Sequence, residues 1–213
     1  MIECKKVSKE FGGHAVLEDV SLTFCEGRIY GIVGKNGTGK SVFLKMVAGL
    51  SCPSEGEIVI DGEPLKRGTF AKNLGMVSDC IGFLPQYTAR ENLYSLAQIQ
   101  KKIGIKEIEE TLRTVGLDPD SKKVYKKFSL GMKQKLAIAQ AFMESPQIIL
   151  VDEPMNGLDE DSVAEMRRFF RQYVEKRQAV MILTSHNRED IEELSDEIYR
   201  IQNNRIIKEK IKK

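Results

Sequence analysis

The sequence predicts an α/β protein with a mostly parallel central sheet and helices on its faces. Short β-branched runs alternate with longer segments of helical period, and the strongest of these runs are apolar throughout. Strands of that kind are typical of the centre of a parallel sheet, because helices cover both of its faces. The order of the segments therefore predicts repeated strand, loop and helix units.

The same pattern places the individual elements. Buried strands are predicted at 29–33, 148–151 and 180–184, and helices at 41–50 and 162–177. The second helix has its apolar residues on one stripe, as expected of a crossover helix packed on a sheet. Segments 57–61 and 197–207 alternate polar and apolar residues beside turn residues, so we expect antiparallel β ribbons flanking the main sheet.

An inserted helical subdomain is predicted between the core elements. Residues 88–145 have helical period and no convincing strand, and Thr88-Ala-Arg-Glu91 has the form of a capping box. We therefore predict one domain over 1–213, with a catalytic core made of 1–87 and 146–213 and a helical subdomain over 88–145. The basic end, 205–213, is expected to be a solvated tail, with contact to anionic lipids as the less favoured alternative.

The composition excludes several classes of protein. The 213 residues suit one compact domain, and 41% apolar with 30% charged residues is typical of a globular chain. Lys and Arg total 33 against 31 Asp and Glu, a balance that predicts no nucleic-acid partner. The four cysteines form no CxxC pair, and the first residues carry charges where a signal peptide needs an apolar run. We expect a reduced, cytoplasmic setting.

A phosphate-binding loop is predicted between the first buried strand and the first helix. The residues match Gly-x-x-x-x-Gly-Lys-Ser/Thr in the structural context that this motif requires. Its glycines let successive N–H groups point inward at the positive end of a helix, where phosphate is stabilised. The Lys40 ammonium is suited to binding the β- and γ-phosphates, and the Ser41 hydroxyl is suited to binding Mg²⁺. The alternative interpretation of the motif is an ordinary glycine-rich turn. The predicted loop comprises Gly34, Lys35, Asn36, Gly37, Thr38, Gly39, Lys40 and Ser41.

Two acidic residues follow the second buried strand. Asp152 and Glu153 are placed at the carboxyl edge of the sheet, where open α/β sheets bind ligands. Asp152 is expected to hold Mg²⁺ through water, and Glu153 is expected to orient or deprotonate the water that attacks the bound phosphate. Without the phosphate loop, a strand end capped by solvated acids would explain both residues.

Together these motifs resemble those of ATP-binding cassette (ABC) ATPases, the nucleotide-binding subunits of ABC transporters, over nearly the whole chain. Residues 128–134, Phe-Ser-Leu-Gly-Met-Lys-Gln, stand where the family has its signature LSGGQ before a helix. Only Ser129 and Gly131 match that consensus, since Leu130 and Met132 depart from it. The resemblance implies that Ser129 and Gly131 contact the γ-phosphate, and a plain N-cap is the alternative for Ser129. Such signatures resemble those of peptide, lantibiotic and drug exporters.

Three further positions acquire a role from this resemblance. Asn156-Gly-Leu-Asp159 resembles the family's D-loop, in which the aspartate contacts the opposing subunit, although Asp159 could also be a simple helix cap. His186, at a predicted strand end, resembles the switch histidine that senses the γ-phosphate. Phe11 resembles the aromatic residue that stacks on adenine, and a core phenylalanine is an equal alternative.

The family's Q-loop has two possible registers here. Residues 74–79 and 81–86 both resemble a strand with a polar end, and 88–93 resemble the TARENL segment of the exporter subgroup. Aligning on that segment places Asp79 where those cassettes often have glutamate, and we prefer this register. It implies that Asp79 is a catalytic and Mg²⁺-sensing residue, with Gln86 in a loop near the coupling surface.

The resemblance implies an ATPase that binds ATP and Mg²⁺ and drives a separate transmembrane permease subunit. In the family, ATP lies between the phosphate loop of one subunit and the signature segment of another, so a second ABC ATPase subunit in an ATP-dependent homodimer is implied. The implied location is peripheral, on the cytoplasmic face of the plasma membrane, and the implied task is export of a peptide or drug-like substrate. Two alternatives stay open: a soluble ABC ATPase with a non-transport role, and a nucleotide-binding regulatory module with little turnover.

Overall fold

A computed structural model describes residues 1–78 and 82–209. The strands are β1 (Ile2–Phe11), β2 (His14–Phe24), β3 (Arg28–Val33), β4 (Glu55–Ile60), β5 (Glu63–Pro64), β6 (Leu74–Val77), β7 (Ile148–Asp152), β8 (Val180–Ser185), β9 (Glu197–Gln202) and β10 (Arg205–Glu209). The helices are α1 (Lys40–Ala48), α2 (Ala89–Gln100), α3 (Ile105–Thr114), α4 (Leu130–Phe142), α5 (Glu160–Arg177) and α6 (Arg188–Leu194). Within this part of the chain, no helix is long and apolar enough to cross a bilayer.

The central sheet is mostly parallel, which confirms the predicted class. Its order is β10-β9-β3-β8-β7-β6, and every neighbouring pair except β10 with β9 is parallel. The carboxyl ends of β3, β7 and β8 therefore share one edge, as the sequence predicts for a ligand site. A second sheet, of order β2-β1-β4-β5, is antiparallel.

Alternate residues of the central strands face two different cores, because side chains alternate along a strand. In β3, Ile29 and Val33 pack in a cluster with apolar residues of α2 to α6. Tyr30 and Ile32 pack in the other cluster, which contains Phe43 of α1 and apolar residues of the antiparallel sheet. Helix α1 is thus enclosed between the two sheets, and the phosphate loop that precedes it is held on both sides.

The helical prediction for 88–145 is confirmed as secondary structure. Thr88 accepts from the backbone N–H of Glu91 at 3.3 Å while Glu91 accepts from that of Thr88 at 2.8 Å, so the capping box forms. In the described chain no strand lies between β6 and β7. These helices share one continuous core with the central sheet, since Leu93 and Leu112 belong to the same cluster as Ile149.

The ends of the chain correct two expectations and contain one hairpin that had not been predicted. Strand β9 pairs parallel with β3, so segment 197–207 belongs partly to the central sheet and is an antiparallel ribbon only where β10 pairs with β9. The solvated tail predicted from residue 205 is wrong over Arg205–Glu209, which form β10. The sequence argument also missed the long hairpin of β1 and β2.

The two candidate Q-loop segments differ in structure. Leu74–Val77 form β6, whereas residues 82–84 have no regular structure and residues 85–86 lie in a turn. The strand interpretation of 81–86 is therefore wrong over the described positions. Asp79 itself lies outside the described residues, and its role stays a prediction.

Candidate active site

The phosphate loop has the backbone that its glycines predict. Gly37 and Gly39 have φ angles of +80° and +103°, in the left-handed region that favours glycine. A Cβ on Gly39 would also lie 2.8 Å from Cγ1 of Val16, so β2 leaves no space for a side chain there. Helix α1 begins at the next residue, and its free N–H groups are directed toward the loop.

Lys40 is buried beneath this loop and aimed into it. Its Nζ donates to the carbonyl oxygens of Gly34 at 2.8 Å and Lys35 at 3.3 Å. The same nitrogen lies 3.9 Å from Oε1 of Glu153. A buried ammonium group needs such partners, and here it places a positive charge at the floor of the loop.

Asp152 ends β7 and is almost completely buried. The hydroxyl of Thr184, on the adjacent strand β8, donates to its Oδ1. Because Asp152 and Thr184 are paired across the parallel ladder, the sheet register itself orients the carboxylate. Thr184 had not been predicted as a site residue, although it ends the predicted strand 180–184, two residues before His186.

Glu153 is held between Lys40 and His186. Its Oε2 lies 2.8 Å from Nδ1 of His186 and accepts the backbone N–H of the same histidine at 3.1 Å. A carboxylate oxygen and an imidazole ring nitrogen are complementary hydrogen-bonding groups at this distance. The backbone of Glu153 has φ +50°, which is unusual for a residue other than glycine.

An open cleft of about 480 Å³ collects most of the predicted residues. It is lined by Phe11, Val16, Asn36, Gly37, Gly39, Lys40, Ser41, Val42, Asp152, Glu153, Asn156 and His186. Val16, Val42 and Asn156 had not been predicted as site residues. Asn156 stands in the predicted D-loop, which was the available signal, whereas Val16 belongs to the unpredicted hairpin.

Phe11 lies at the rim of this cleft rather than in a core. Its side chain is 52% exposed, and Nζ of Lys9 stands 4.8 Å from the ring centroid. The alternative of a core phenylalanine is therefore wrong. An exposed aromatic face beside a phosphate loop is suited to stacking on a planar base.

The signature segment contacts Gly157 of the D-loop, and the predicted site residues Ser129, Gly131 and Asp159 lie outside the cleft lining. A Cβ on Gly131 would approach the carbonyl oxygen of Gly157 to 2.8 Å, and Leu130 packs on Gly157. Ser129 and Asp159 are the N-caps of α4 and α5, accepting backbone N–H groups at 3.2 Å and 2.8 Å. The hydrogen bonds from Ser162 lower the pKa of Asp159. Ser129 and Asp159 are therefore both helix caps, and a residue in this role can also contact another subunit.

The residues present fit a magnesium ion bound together with a triphosphate. In residues 1–78 and 82–209 no group of three His, Cys, Asp or Glu side chains could hold a metal alone. The Ser41 hydroxyl and the Asp152 carboxylate lie at one cleft, and Mg²⁺ in such sites takes most of its ligands from phosphate and water. The donor set is thus sufficient only when nucleotide is present.

The fold and this site define a P-loop nucleotide-binding protein. A glycine loop leads from the central parallel strand β3 into a helix, and an acidic pair at the end of β7, which is separated from β3 by β8, lies at the same cleft. The ABC transporter family model matches residues 17–156, and the chain belongs to that family. An uncharacterised ABC transporter ATP-binding protein of Bacillus subtilis is 43% identical, over 92% of this chain and 90% of the relative.

Further comparisons extend this relationship. The bacitracin transport ATP-binding protein BcrA of Bacillus licheniformis is 36% identical, over 98% of this chain and 69% of its own length. Among solved structures, an ATP-binding cassette described as a dimer in a post-hydrolysis state bound to ADP and Pi matches with a TM-score of 0.87 and 25% identity, covering both chains completely. The protein is thus an ABC ATPase, and the expected resemblance to the exporter subgroup is supported by the transport relative.

Proposed function

We propose that this chain is the ATP-hydrolysing subunit of an ABC transporter and that it drives a separate permease through nucleotide-dependent pairing of two cassettes. The observation that carries the proposal is the position of Glu153. Its carboxylate is held between buried Lys40 and His186 at a cleft that opens on the phosphate loop. A carboxylate so placed can act on a water molecule beside a bound γ-phosphate.

Each residue of the cleft has a separate task in this proposal. The N–H groups of the loop and Lys40 bind the phosphates and stabilise the negative charge that develops in the transition state. Glu153 accepts a proton from the attacking water, and His186 orients that carboxylate. Ser41 and Asp152 would hold Mg²⁺, which supplies charge neutralisation at the phosphate oxygens when it is bound.

Three assignments in the proposal come from the family resemblance. Asp79 is proposed as the residue that couples the Mg²⁺ site to the permease. Ser129, Gly131 and Asp159 are proposed to act at the active site of the second subunit, which agrees with their position outside the cleft lining of their own chain. The division into a core over 1–87 and 146–213 and a helical subdomain over 88–145 is proposed to separate ATP chemistry from permease contact.

The proposed location is the cytoplasmic face of the plasma membrane, with the chain held there by the permease. The proposed substrate class is peptide or drug-like compounds, and the proposed direction is export. The name of the bacitracin transport relative supports a peptide-antibiotic substrate. A soluble ABC ATPase or a regulatory module gains no comparable support.

Glu153→Gln tests the reaction directly. Removing the proton acceptor should lower steady-state ATP hydrolysis at least about 100-fold, because general bases contribute factors of that size. Mg-ATP binding should persist, since Lys40 and the loop are intact, and the variant should accumulate as an ATP-bound dimer. Phosphate release and size-exclusion chromatography with ATP measure the two effects.

Glu175→Gln is the matched control, because Glu175 is exposed on α5 away from the cleft. It should hydrolyse ATP at the wild-type rate. Wild-type hydrolysis by Glu153→Gln would reject Glu153 as the catalytic carboxylate. Equal losses in both variants would show that the effect does not belong to the cleft.

A further inference from the structure

Gln134 connects the signature helix to the backbone around the catalytic carboxylate. Its Nε2 donates to the carbonyl oxygen of Pro154 at 3.0 Å and lies 3.4 Å from that of Glu153. Gln134 belongs to α4, which begins directly after Ser129. One side chain therefore spans from the helix that carries the signature residues to the segment that carries Glu153.

The backbone that Gln134 contacts is in a costly conformation. A left-handed φ such as the +50° of Glu153 is energetically unfavourable outside glycine, and it persists where neighbouring groups hold it. The N–H of Glu153 donates to the carbonyl of Thr184 at 3.1 Å, which fixes the amino side to β8. Its carbonyl accepts from the N–H of Asn156 at 3.3 Å, within the following turn.

On the carboxyl side of this segment, the backbone is held by Gln134. In the described chain, it is the one hydrogen-bond donor recorded for the carbonyl oxygen of Pro154. Proline has no N–H, so the preceding Glu153–Pro154 peptide can be held only through the Glu153 carbonyl oxygen, which Gln134 Nε2 also approaches. If that peptide rotated, the Glu153 carboxylate would turn away from His186 and Lys40.

We propose that Gln134 is a positioning residue for Glu153, through which a displacement of helix α4 changes the orientation of the catalytic carboxylate within the same subunit. The inference rests on the proposed function of Glu153 and names how that site is regulated. Contact of Ser129 with a nucleotide bound to the other subunit would displace helix α4 or fix its position. The amide of Gln134 would then transmit this change to the site where its own subunit hydrolyses ATP.

Gln134→Met tests the hydrogen bond, because methionine has a similar length and no N–H donor. We expect kcat for ATP hydrolysis to fall at least about tenfold, since a small misplacement of a reacting group can cost up to about 100-fold. KM and the Kd for Mg-ATP should change less than about twofold, because no contact to the nucleotide is removed. The purified full chain is assayed with ATP and Mg²⁺, and thermal unfolding is measured in parallel.

Gln140→Met is the matched control, since Gln140 lies on the same helix and, within the described residues, its side chain forms no hydrogen bond to the site. It should retain the wild-type kcat. An unchanged kcat in Gln134→Met would overturn the inference, and so would equal losses of kcat, Mg-ATP affinity and thermal stability. In the Glu153→Gln background, Gln134→Met should lower the residual rate no further. If Glu153→Gln itself leaves turnover intact, the proposed function fails; if only Gln134→Met leaves kcat unchanged, this inference alone fails.

Discussion

Phe11 shows how one exposed side chain can contribute to nucleotide affinity. It stands at the end of β1, beside the cleft, with Lys9 over its ring. A base that stacks on the free face would bury apolar surface on both partners.

Phe11→Ala should weaken Mg-ATP binding about fivefold or more, because stacking of a base on an aromatic side chain contributes about 1–3 kcal/mol. Phe11→Tyr should bind as the wild type does. The Kd for inorganic tripolyphosphate, which has no base, should stay unchanged in both variants. Equilibrium titration measures all of these values.

Phe70→Ala provides the control for a lost exposed aromatic ring, since Phe70 is 65% exposed and lies outside the cleft lining. Its affinity for Mg-ATP should equal that of the wild type. If Phe11→Ala weakened tripolyphosphate as strongly as ATP, the ring would act on the phosphate loop and not on the base.

At the scale of elements, α5 holds the short helix α6, and α6 begins just after His186. Nη2 of Arg167 lies 2.6 Å from Oδ1 of Asp190, and its Nη1 also contacts Glu193. The Asp190 side chain is only 6% exposed. Such a pair is costly to break on one side, because the remaining carboxylate stays buried without its partner.

Arg167→Leu should therefore lower the free energy of unfolding by about 3 kcal/mol, near the lower end of the range for removing one partner of a buried pair. Adding Asp190→Leu should recover part of this loss, since the unpaired charge is then absent. Urea unfolding measures the three free energies.

Arg168→Leu is the neighbouring control. Arg168 is exposed and forms no ion pair with the described residues, so its substitution should change the free energy by less than about 0.5 kcal/mol. A loss in Arg167→Leu no greater than that in Arg168→Leu would show that the ion pair does not stabilise α6.

At the scale of the whole molecule, one chain carries two separate parts of the predicted nucleotide site. The cleft residues and the signature residues Ser129 and Gly131 lie at different places on the same subunit. A composite site between two identical chains would join them, since a two-fold axis brings the same surface twice to one interface. Mixing two inactive variants tests this arrangement.

Ser129→Asp is suited to the test, because aspartate is a good N-cap but repels phosphate. A mixture of Lys40→Ala and Ser129→Asp chains should hydrolyse ATP faster than either variant alone, since each mixed dimer contains one intact composite site. Subunits are exchanged before phosphate release is measured. No recovery in dimers shown to be mixed would contradict the composite site.

The double variant Lys40→Ala/Ser129→Asp serves as the control when mixed with wild-type chains. Its mixed dimers carry a defect in both composite sites, so they should add no activity. Activity from these mixed dimers would indicate that each chain completes its own site.

The sequence determined the elements that depend on neighbouring residues. The phosphate loop needs its own glycines and the helix that follows, and the capping box at Thr88 needs only a residue three positions later. The apolar runs of β3, β7 and β8 likewise predicted a central sheet, because each run is buried on both faces. The carboxyl edge of that sheet then brought Asp152 and His186 to one place.

Only the tertiary structure decided the features that depend on distant partners. The β1 and β2 hairpin has irregular register, and its Lys6 and Asp19 have positive φ, so the alternation that marks a strand is interrupted. The parallel pairing of β9 with β3 joins segments far apart in the chain, and no local pattern encodes it. The contact of Gln134 with Pro154 arises for the same reason. A hydrogen bond between separate elements depends on how the core packs them together, whereas a loop or a cap is encoded within a few residues.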